Sequence, residues 1–336
     1  MKKVLKRILI ILLGLAVLVV LHTGFYHISL RDFRSQSVQE FHQPDLYTVF
    51  DEQGIAYDEE SGLFLFSGYM RGTKSPSPVY LVDKNLKTVL KKINLCKEDG
   101  SDLVCHCGGI AVHDNLVFLA GSTDCCLYIY DKSEILESAD NGRVLCKQVF
   151  SLHVSDQDKV RASFVGVSDD GMLYVGEFYH PLIPSLRGII EHSFHPSSGK
   201  STYSILVGFP FDASSKFGIQ PEPAVVYRLP EYVQGVTSYK NTLVLSRSFA
   251  MPRSKLEYYA LDEAFGEGST TVLGCEVPLY RLPEQFKTIK CIPMNECLAV
   301  ADDRVYIANE LANMPIIGWI LPIGAEWCYS VPCYTK

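Results

Sequence analysis

The chain lacks the composition that marks proteins binding nucleic acid. Its 336 residues carry 31 lysines and arginines against 38 aspartates and glutamates, so the formal net charge is −7. Nucleic-acid-binding proteins usually have a basic excess and basic clusters, so we expect no nucleic-acid partner. Only two tryptophans occur, and there is neither a low-complexity tract nor a long run of like charge. The composition therefore indicates an ordinary folded chain, long enough to bury a core.

Common catalytic motifs are also missing. The sequence contains no G-x-S-x-G elbow, no H-E-x-x-H motif and no G-x-x-x-x-G-K-[ST] loop. His192 and His195 are spaced like a metal pair, but they fall in a predicted outer hairpin over 188–208. Residues i and i+3 of a strand point to opposite faces, which disfavours chelation. The sequence leaves open whether the protein is an enzyme and favours a non-enzymatic role.

One long apolar run occurs, at the N-terminus. Four basic residues, Lys2, Lys3, Lys6 and Arg7, precede a nearly unbroken apolar stretch from Ile8 to Leu21. Basic residues stay on the cytoplasmic side, so residues 1–28 predict a single-pass anchor in the cell membrane, with the bulk of the chain extracytoplasmic. A cleaved signal peptide is the alternative, because the run is about as long as a signal-peptide core. No A-x-A-like site follows, which favours the anchor.

The remainder of the chain reads as short strands and turns. Residues 29–45 are polar and predict a spacer, and residues 46–336 predict an all-β ectodomain. A cassette recurs there: a strand with a small residue near its start, a polar turn, and a four-residue strand that ends in a small residue. The five copies begin with the stretches 53–56, 108–111, 165–168, 234–237 and 296–299.

Five copies of one cassette predict a β-propeller. Each blade is a small twisted sheet whose two apolar faces can be buried only against neighbouring blades. The first strand of each blade lines a crowded axis, which accounts for its small residues. Five blades are favoured, although the long stretch 166–235 leaves room for a sixth, degenerate blade. A pair of β-sandwiches is the rival fold, but it does not require one cassette five times.

The cassettes QGIAYDEESGLFLFSG, GGIAVHDNLVFLAG and QGVTSYKNTLVLSRS resemble those of the broad propeller superfamily of gluconolactonase/regucalcin-like, NHL and YVTN-type proteins. The resemblance covers about residues 46–336 and concerns the fold, so it transfers no catalytic residue. It implies a second hypothesis, a calcium-type, metal-assisted lactonase. The metal set would be Glu177, Glu296, Asn309 and Glu310. The chain departs from the lactonases after Phe66, where Ser67, Gly68 and Tyr69 stand instead of an acid.

The preferred hypothesis is a membrane-tethered module that binds a protein, a glycan or a small polar ligand. In a propeller, the loops into first strands and those between second and third strands open on one face near the axis. We expect a ligand-binding axial mouth there, formed by Gln53, His106, Glu177, His180, Gln234, Arg247, Glu296, Asn309 and Glu310. Arg247 needs acidic partners near an axis, and Glu177, Glu296 and Glu310 are the expected ones.

The eleven cysteines predict disulfides in an exported protein, and the odd number leaves at least one unpaired. Antiparallel pairing should bring Cys105 and Cys107 near Cys125 and Cys126, with Cys96 in the same loop region. A thiolate-rich zinc site is the alternative, although C-x-C with C-C is not the usual spacing. Two short-spaced pairs are further candidates: Cys291 with Cys297, and Cys328 with Cys333.

Overall fold

A computed structural model describes residues 2–186, 192–195, 201–314 and 323–336. The helices are few: α1 (Lys2–Ser29), α2 (Arg31–Gln36) and α3 (Lys132–Glu137), with short 3-10 turns at Pro184–Leu186, Leu261–Glu263 and Glu310–Asn313. All other regular structure is β, in five sheets. The predicted hairpin over 188–208 lies partly outside the described residues.

Blades 1 and 2 are antiparallel sheets built from consecutive strands. Blade 1 contains β2 (Phe50–Asp58), β3 (Leu63–Met70), β4 (Pro78–Asp83) and β5 (Thr88–Cys96). Blade 2 contains β6 (Ile110–His113), β7 (Leu116–Gly121), β8 (Cys126–Asp131) and β10 (Gln148–Ser151). The short β9 (Arg143–Leu145) leaves blade 2 and pairs in parallel with β5, so it ties the outer edges of the two blades together.

Blades 3 and 4 are also linked at their outer edges, in this case by a hairpin from blade 4. Blade 3 contains β11 (Phe164–Val167), β12 (Met172–Gly176), β13 (Ile205–Pro210) and β14 (Val225–Arg228). Blade 4 contains β15 (Val233–Tyr239), β16 (Thr242–Arg247), β17 (Ser254–Ala260) and β20 (Lys287–Cys291). The hairpin of β18 (Phe265–Val272) and β19 (Cys275–Arg281) projects from blade 4 and extends blade 3 through the parallel pairing of β14 with β19.

Blade 5 is completed by the N-terminal part of the chain. It contains β21 (Asn295–Ala301), β22 (Arg304–Asn309), β23 (Trp327–Pro332) and, as its outermost strand, β1 (Val38–His42). Strand β1 pairs antiparallel with β23, so strands from both ends of the chain meet in one sheet. Residues 38–42 belong to the stretch that the sequence assigns to a spacer, and in the structure they close the ring.

The innermost strands β2, β6, β11, β15 and β21 contact one another in a closed ring. The five-bladed propeller is therefore confirmed, and among the described residues of 166–235 no sixth blade forms. Glycines on the innermost strands make this ring possible, because they have only a hydrogen atom as a side chain. A Cβ added at Gly54, Gly109, Gly166 or Gly235 would meet the backbone of the next blade. The small residues of the cassette thus mark close approaches between neighbouring blades.

Gly235→Ala should destabilise the propeller strongly. Its Cβ would lie 2.6 Å from the carbonyl oxygen of Glu296 and 2.8 Å from Cα of Cys297, both on the innermost strand of blade 5. Because backbone atoms of a neighbouring blade cannot move aside cheaply, we expect a loss on the order of 3 kcal/mol or more. Gly266→Ala is the matched control, since its Cβ would meet only a Tyr280 ring carbon at 3.9 Å. Equal thermal unfolding temperatures for the two variants would contradict the ring of close contacts.

Helix α1 is long and apolar enough to span a membrane, which among the described residues holds for no other helix. Its side chains are largely exposed until Tyr26, which is buried. Tyr26 donates a hydrogen bond to the carbonyl oxygen of Met251 in the loop between β16 and β17. Leu30 and Phe33 then pack into the hydrophobic core shared by blades 4 and 5. The end of α1 is therefore fixed to the propeller rather than connected to it by a free linker.

Candidate functional site

We call the face of the propeller that carries the loops into first strands and the loops between second and third strands the top face. Four acidic side chains converge there near the axis: Asp51 and Glu52 on β2, Glu296 on β21, and Glu310 directly after β22. We call them the mouth carboxylates. Asp51, Glu52 and Glu296 are buried, and Glu310 is partly buried. Blade 1 and blade 5 thus place four acids at the seam between them.

Two glutamines from the predicted site bridge these acids. Gln53 Nε2 donates to Glu310 Oε2 at 3.0 Å, and Gln234 Nε2 donates to Glu296 Oε1 at 3.3 Å. Gln53 and Gln234 occupy equivalent cassette positions in blades 1 and 4, so the repeat gives Glu310 and Glu296 similar amide partners. The structure thus brings together four of the predicted residues, with the acids on blade 5 and the amides on its two neighbours.

An arginine offsets the negative charge of Asp51 on the side of blade 1. Arg71 contacts Asp51 Oδ2 through Nε at 2.8 Å and through Nη2 at 2.7 Å, and it also donates to the carbonyl oxygen of Asn313. Tyr69 lies beside Asp51, and its ring stacks on the ring of His106 at 4.8 Å. Burial lowers the pKa of His106, so its imidazole is neutral near neutral pH. The predicted residue His106 therefore lies at the edge of this network.

Burial and mutual repulsion keep protons on the glutamates of the mouth. Burial raises the pKa of Glu310 to about 8, and the charge of Asp51 acts in the same direction. Burial also raises the pKa of Glu52 and of Glu296 well above the usual range, and neighbouring acids add to both shifts. Glu310 is therefore protonated near neutral pH, and the same causes favour the protonated form of Glu52 and of Glu296, whereas Asp51 is paired with Arg71.

Several acceptor atoms of this region have no hydrogen-bond partner. Both carboxyl oxygens of Glu52 are buried and unpartnered, and Glu52 is only 1% exposed. Asp51 Oδ1, Asn295 Oδ1 and Asn309 Oδ1 are likewise buried without a partner. A buried polar atom that makes no hydrogen bond costs about 1–3 kcal/mol. Even with a proton on Glu52, which turns one of its oxygens into a donor, these five atoms include four acceptors, so acceptors outnumber donors in the mouth.

Two predicted residues lie apart from the mouth carboxylates, on blade 3. Glu177 Oε2 contacts His192 Nδ1 at 2.8 Å, and its Oε1 accepts from the backbone N–H of Arg161. His180 is buried against the rings of Tyr232 and Phe249, and its Nδ1 accepts two backbone N–H groups. Both side chains have structural partners of their own. The spacing of His192 and His195 in the sequence did not predict that His192 pairs with Glu177.

Arg247 was expected to pair with Glu177, Glu296 or Glu310, and this expectation is wrong. Its Nη1 lies 2.8 Å from Glu257 Oε1, and its Nε donates to the backbone oxygen of Glu231. Glu257 is on β17, two residues beyond the cross-strand neighbour of Arg247, and sequence order gives no hint that its side chain turns inward. Arg247 is thus held within blade 4.

The residues suggested for a metal do not form one site. Glu296 and Glu310 lie in the mouth, but Glu177 is paired with His192. Asn309 donates from its side-chain nitrogen to the carbonyl oxygen of Ala325, and its Oδ1 has no partner. Over the residues that the structure describes, no group of three or more His, Cys, Asp or Glu side chains is arranged to hold a metal ion. The donor set and its placement give the calcium hypothesis no support.

All eleven cysteines are unpaired in the structure. Cys105 and Cys107 approach each other, with their Sγ atoms 3.0 Å apart, instead of reaching across to Cys125. Cys126 lies near this pair, because it contributes to the raised pKa of Cys107. The convergence of thiols in blade 2 is thus partly as expected. The disulfides themselves, including those of Cys96 and of the pairs Cys291 with Cys297 and Cys328 with Cys333, stay a prediction.

A second concavity lies on the axis at the opposite, bottom face. A cavity of about 320 Å³ is lined by first-strand residues of all five blades, among them Ala56, Ala111, Gly166, Thr237 and Ala299. Its lining also includes two tyrosines, Tyr57 and Tyr239, and two exposed acids, Glu59 and Asp169, and none of the predicted site residues lines it. The convergence of buried carboxyl groups therefore distinguishes the top mouth from the bottom cavity.

Comparison with known proteins assigns the chain to no family. No protein-family model matches the chain, and no curated protein sequence matches it. Similar solved structures include Kuenenia stuttgartiensis hydrazine synthase, at 10% identity and a TM-score of 0.37 over 81% of this chain and 58% of that chain. A luciferin-regenerating enzyme is 11% identical, with a TM-score of 0.43 over 90% of this chain and 97% of its own. Myxococcus xanthus glutaminyl cyclase is 8% identical, with a TM-score of 0.45 over 88% and 93%.

Proposed function

We propose that this protein is a membrane-tethered, extracytoplasmic propeller that binds a small polar ligand rich in hydrogen-bond donors, an amine or a polyol, at its top mouth. Residues 1–28 serve as the anchor and the propeller as the ectodomain. The basic residues before the apolar run support a cytoplasmic N-terminus. The observation that carries the ligand proposal is Glu52, which is buried with both carboxyl oxygens unpartnered.

The acceptor excess selects the ligand chemistry. Unpartnered oxygens on Glu52, Asp51, Asn295 and Asn309 call for N–H or O–H donors, which amines and polyols supply. An anion or a ligand with acceptors alone would add repulsion beside Asp51 and leave the same oxygens unsatisfied. A donor-rich ligand therefore recovers hydrogen bonds that the free protein lacks.

An amine should bind with release of protons. Glu310, with a pKa near 8, and the buried glutamates beside it hold protons near neutral pH. An ammonium group beside them favours the ionised form, so its binding lowers these pKa values. Amine affinity should therefore rise with pH, whereas the affinity for a neutral polyol should change in the opposite sense or stay constant.

The test is calorimetric titration of the purified full-length chain with a short diamine, a polyamine and a series of monosaccharides. We expect Glu52→Gln to stay folded and to weaken binding at least tenfold, about 1.4 kcal/mol, because an amide keeps the shape but cannot become an anion. The measured heat for an amine should also depend on the ionisation enthalpy of the buffer, which reports proton release.

Glu284→Gln is the matched control, because Glu284 is exposed on the loop between β19 and β20 and is not one of the mouth residues. It should bind like the wild type. Unchanged affinity in Glu52→Gln, or no binding of any of these ligands to the wild type, would show that the mouth acceptors serve another purpose.

A further inference from the structure

A cavity beside the end of α1 is rich in cations. Its volume is about 310 Å³, and it lies on the top face of blade 4. The lining residues are Tyr232, Arg247, Ser248, Phe249, Pro252, Arg253 and Lys255. Three of the seven are basic and none is acidic. The cavity is separate from the mouth carboxylates, and no residue of the proposed ligand site lines it.

The basic residues are arranged at some electrostatic cost. Arg247 and Lys255 are direct cross-strand neighbours on β16 and β17, and like charges placed opposite each other destabilise a sheet. Glu257 offsets Arg247 but is also engaged by the hydroxyl of Tyr259. Among the described residues, neither Arg253 nor Lys255 has an ion-pair partner within 4 Å, so two of the three cations lack a carboxylate partner. The cavity is therefore suited to an anion.

The position of the cavity indicates where that anion comes from. Arg253 lies over the ring of Phe25 at 5.0 Å, and Tyr26 is bonded to Met251 in the same loop. Phe25 and Tyr26 end the apolar part of α1, where aromatic residues of a membrane-spanning helix lie at the headgroup level. The cavity is thus held next to the polar surface of the bilayer, with Phe249 and Tyr232 as an aromatic wall beside its cations.

We infer that this cavity binds the phosphate headgroup of an anionic membrane lipid in the leaflet from which α1 emerges. Arg253 and Lys255 contact the phosphate, and Phe249 packs against the glycerol or the first acyl carbons. Basic groups close to an anionic membrane surface are attracted to it electrostatically. The inference rests on the proposed membrane tether, because only the tether brings headgroups to this part of the propeller.

The experiment is a titration of the purified full-length chain, in detergent micelles, with dioctanoyl phosphatidylglycerol. Bound lipid is counted by native mass spectrometry, and the unfolding temperature is followed in parallel. Dioctanoyl phosphatidylcholine and inorganic phosphate are titrated separately. We expect phosphatidylglycerol to bind and to raise the unfolding temperature, with at least fivefold weaker effects from the other two. The variant Arg253→Ser/Lys255→Ser should weaken phosphatidylglycerol binding at least fivefold.

Lys74→Ser/Lys97→Ser is the matched control, because it also removes two exposed cations from the top face but from blade 1. It should bind lipid like the wild type. The single variant Lys255→Ser is compared with the wild type as well. Because Lys255 is exposed, this change should leave the fold intact even if the double variant misfolds. Equal binding by the pocket variants and the control overturns the inference, and so does a response to inorganic phosphate as strong as that to the lipid.

A separate experiment tests whether α1 spans the membrane. Alkaline carbonate extraction of cell membranes should leave the chain in the pellet if α1 spans the bilayer. A chain that is extracted refutes the tether and the lipid site together. A chain that stays in the pellet but shows no preference for phosphatidylglycerol refutes the lipid site alone and leaves amine or polyol binding at the mouth untouched.

Discussion

A chain shortened to begin at residue 46 should fail to give a monomeric domain with a cooperative unfolding transition. The missing part includes β1, so β23 would become an open edge strand at the point where the ring closes. Phe41, which is 2% exposed and packs against Phe64 and Phe66, would leave a large void. Loss of a buried phenylalanine alone costs about 3–5 kcal/mol. An exposed apolar edge strand also invites association between chains.

A chain that begins at residue 30 is the control, because it lacks α1 but keeps Leu30, Phe33 and the whole of β1. It should elute as a monomer and unfold cooperatively. Gel filtration and calorimetry compare the two. Similar elution volumes and unfolding temperatures would mean that blade 5 does not need its fourth strand, and that ring closure depends on the other three.

Raising the pH from 6.5 to 8.5 should lower the stability of the wild-type protein, and Glu310→Gln should flatten this dependence. In the folded state the pKa of Glu310 is raised to about 8 from its ordinary 4.5. A group whose folded pKa lies above its unfolded pKa stabilises fully below about 4.5, and this stabilisation is lost as the pH rises through about 8. Over the whole range between the two pKa values, the stability lost through Glu310 has an upper limit on the order of 5 kcal/mol.

The raised pKa values of Glu52 and Glu296 act in the same direction, so the variant should reduce the slope without removing it. Urea unfolding at several pH values measures the slope directly. Glu284→Gln, an exposed change, should leave the slope of the wild type intact. A stability that rises between pH 6.5 and 8.5, or equal slopes for wild type and Glu310→Gln, would contradict the burial of protonated carboxyl groups in the mouth.

The fold could be predicted from sequence because the constraint at the axis recurs in every blade. Gly54, Gly109, Gly166 and Gly235 each allow the same close approach of a neighbouring strand, so four of the five copies of the cassette carry this information. Strands that pair outside the blade formed by their sequence neighbours show no such repeat in the sequence. The parallel pairings of β9 and β19, and the closure by β1, depend on single long-range contacts that leave no periodic pattern.

The site was predictable only in part, for a related reason. Cassette positions place Gln53, Gln234 and Glu296 on the innermost strands, and the structure brings them together. The direction of a side chain at a strand end is not periodic, because bulges in β2, β15 and β21 shift the alternation there. Asp51 was overlooked and Arg247 was given the wrong partners. The run Asp51, Glu52, Gln53 before Gly54 was the available clue, since consecutive acids at the start of an axial strand cannot all face water.

The strand that closes the ring is also the strand nearest α1, and in a protein tethered by α1, as proposed above, this has a mechanical consequence. A pull on α1 would be carried first by Tyr26, Leu30 and Phe33, which pack on blades 4 and 5. Only when these contacts give way does tension reach Val38 and the hydrogen bonds between β1 and β23. In the proposed tethered protein, side-chain packing around the end of α1 and α2 would therefore bear tension before it could open the ring between β1 and β23.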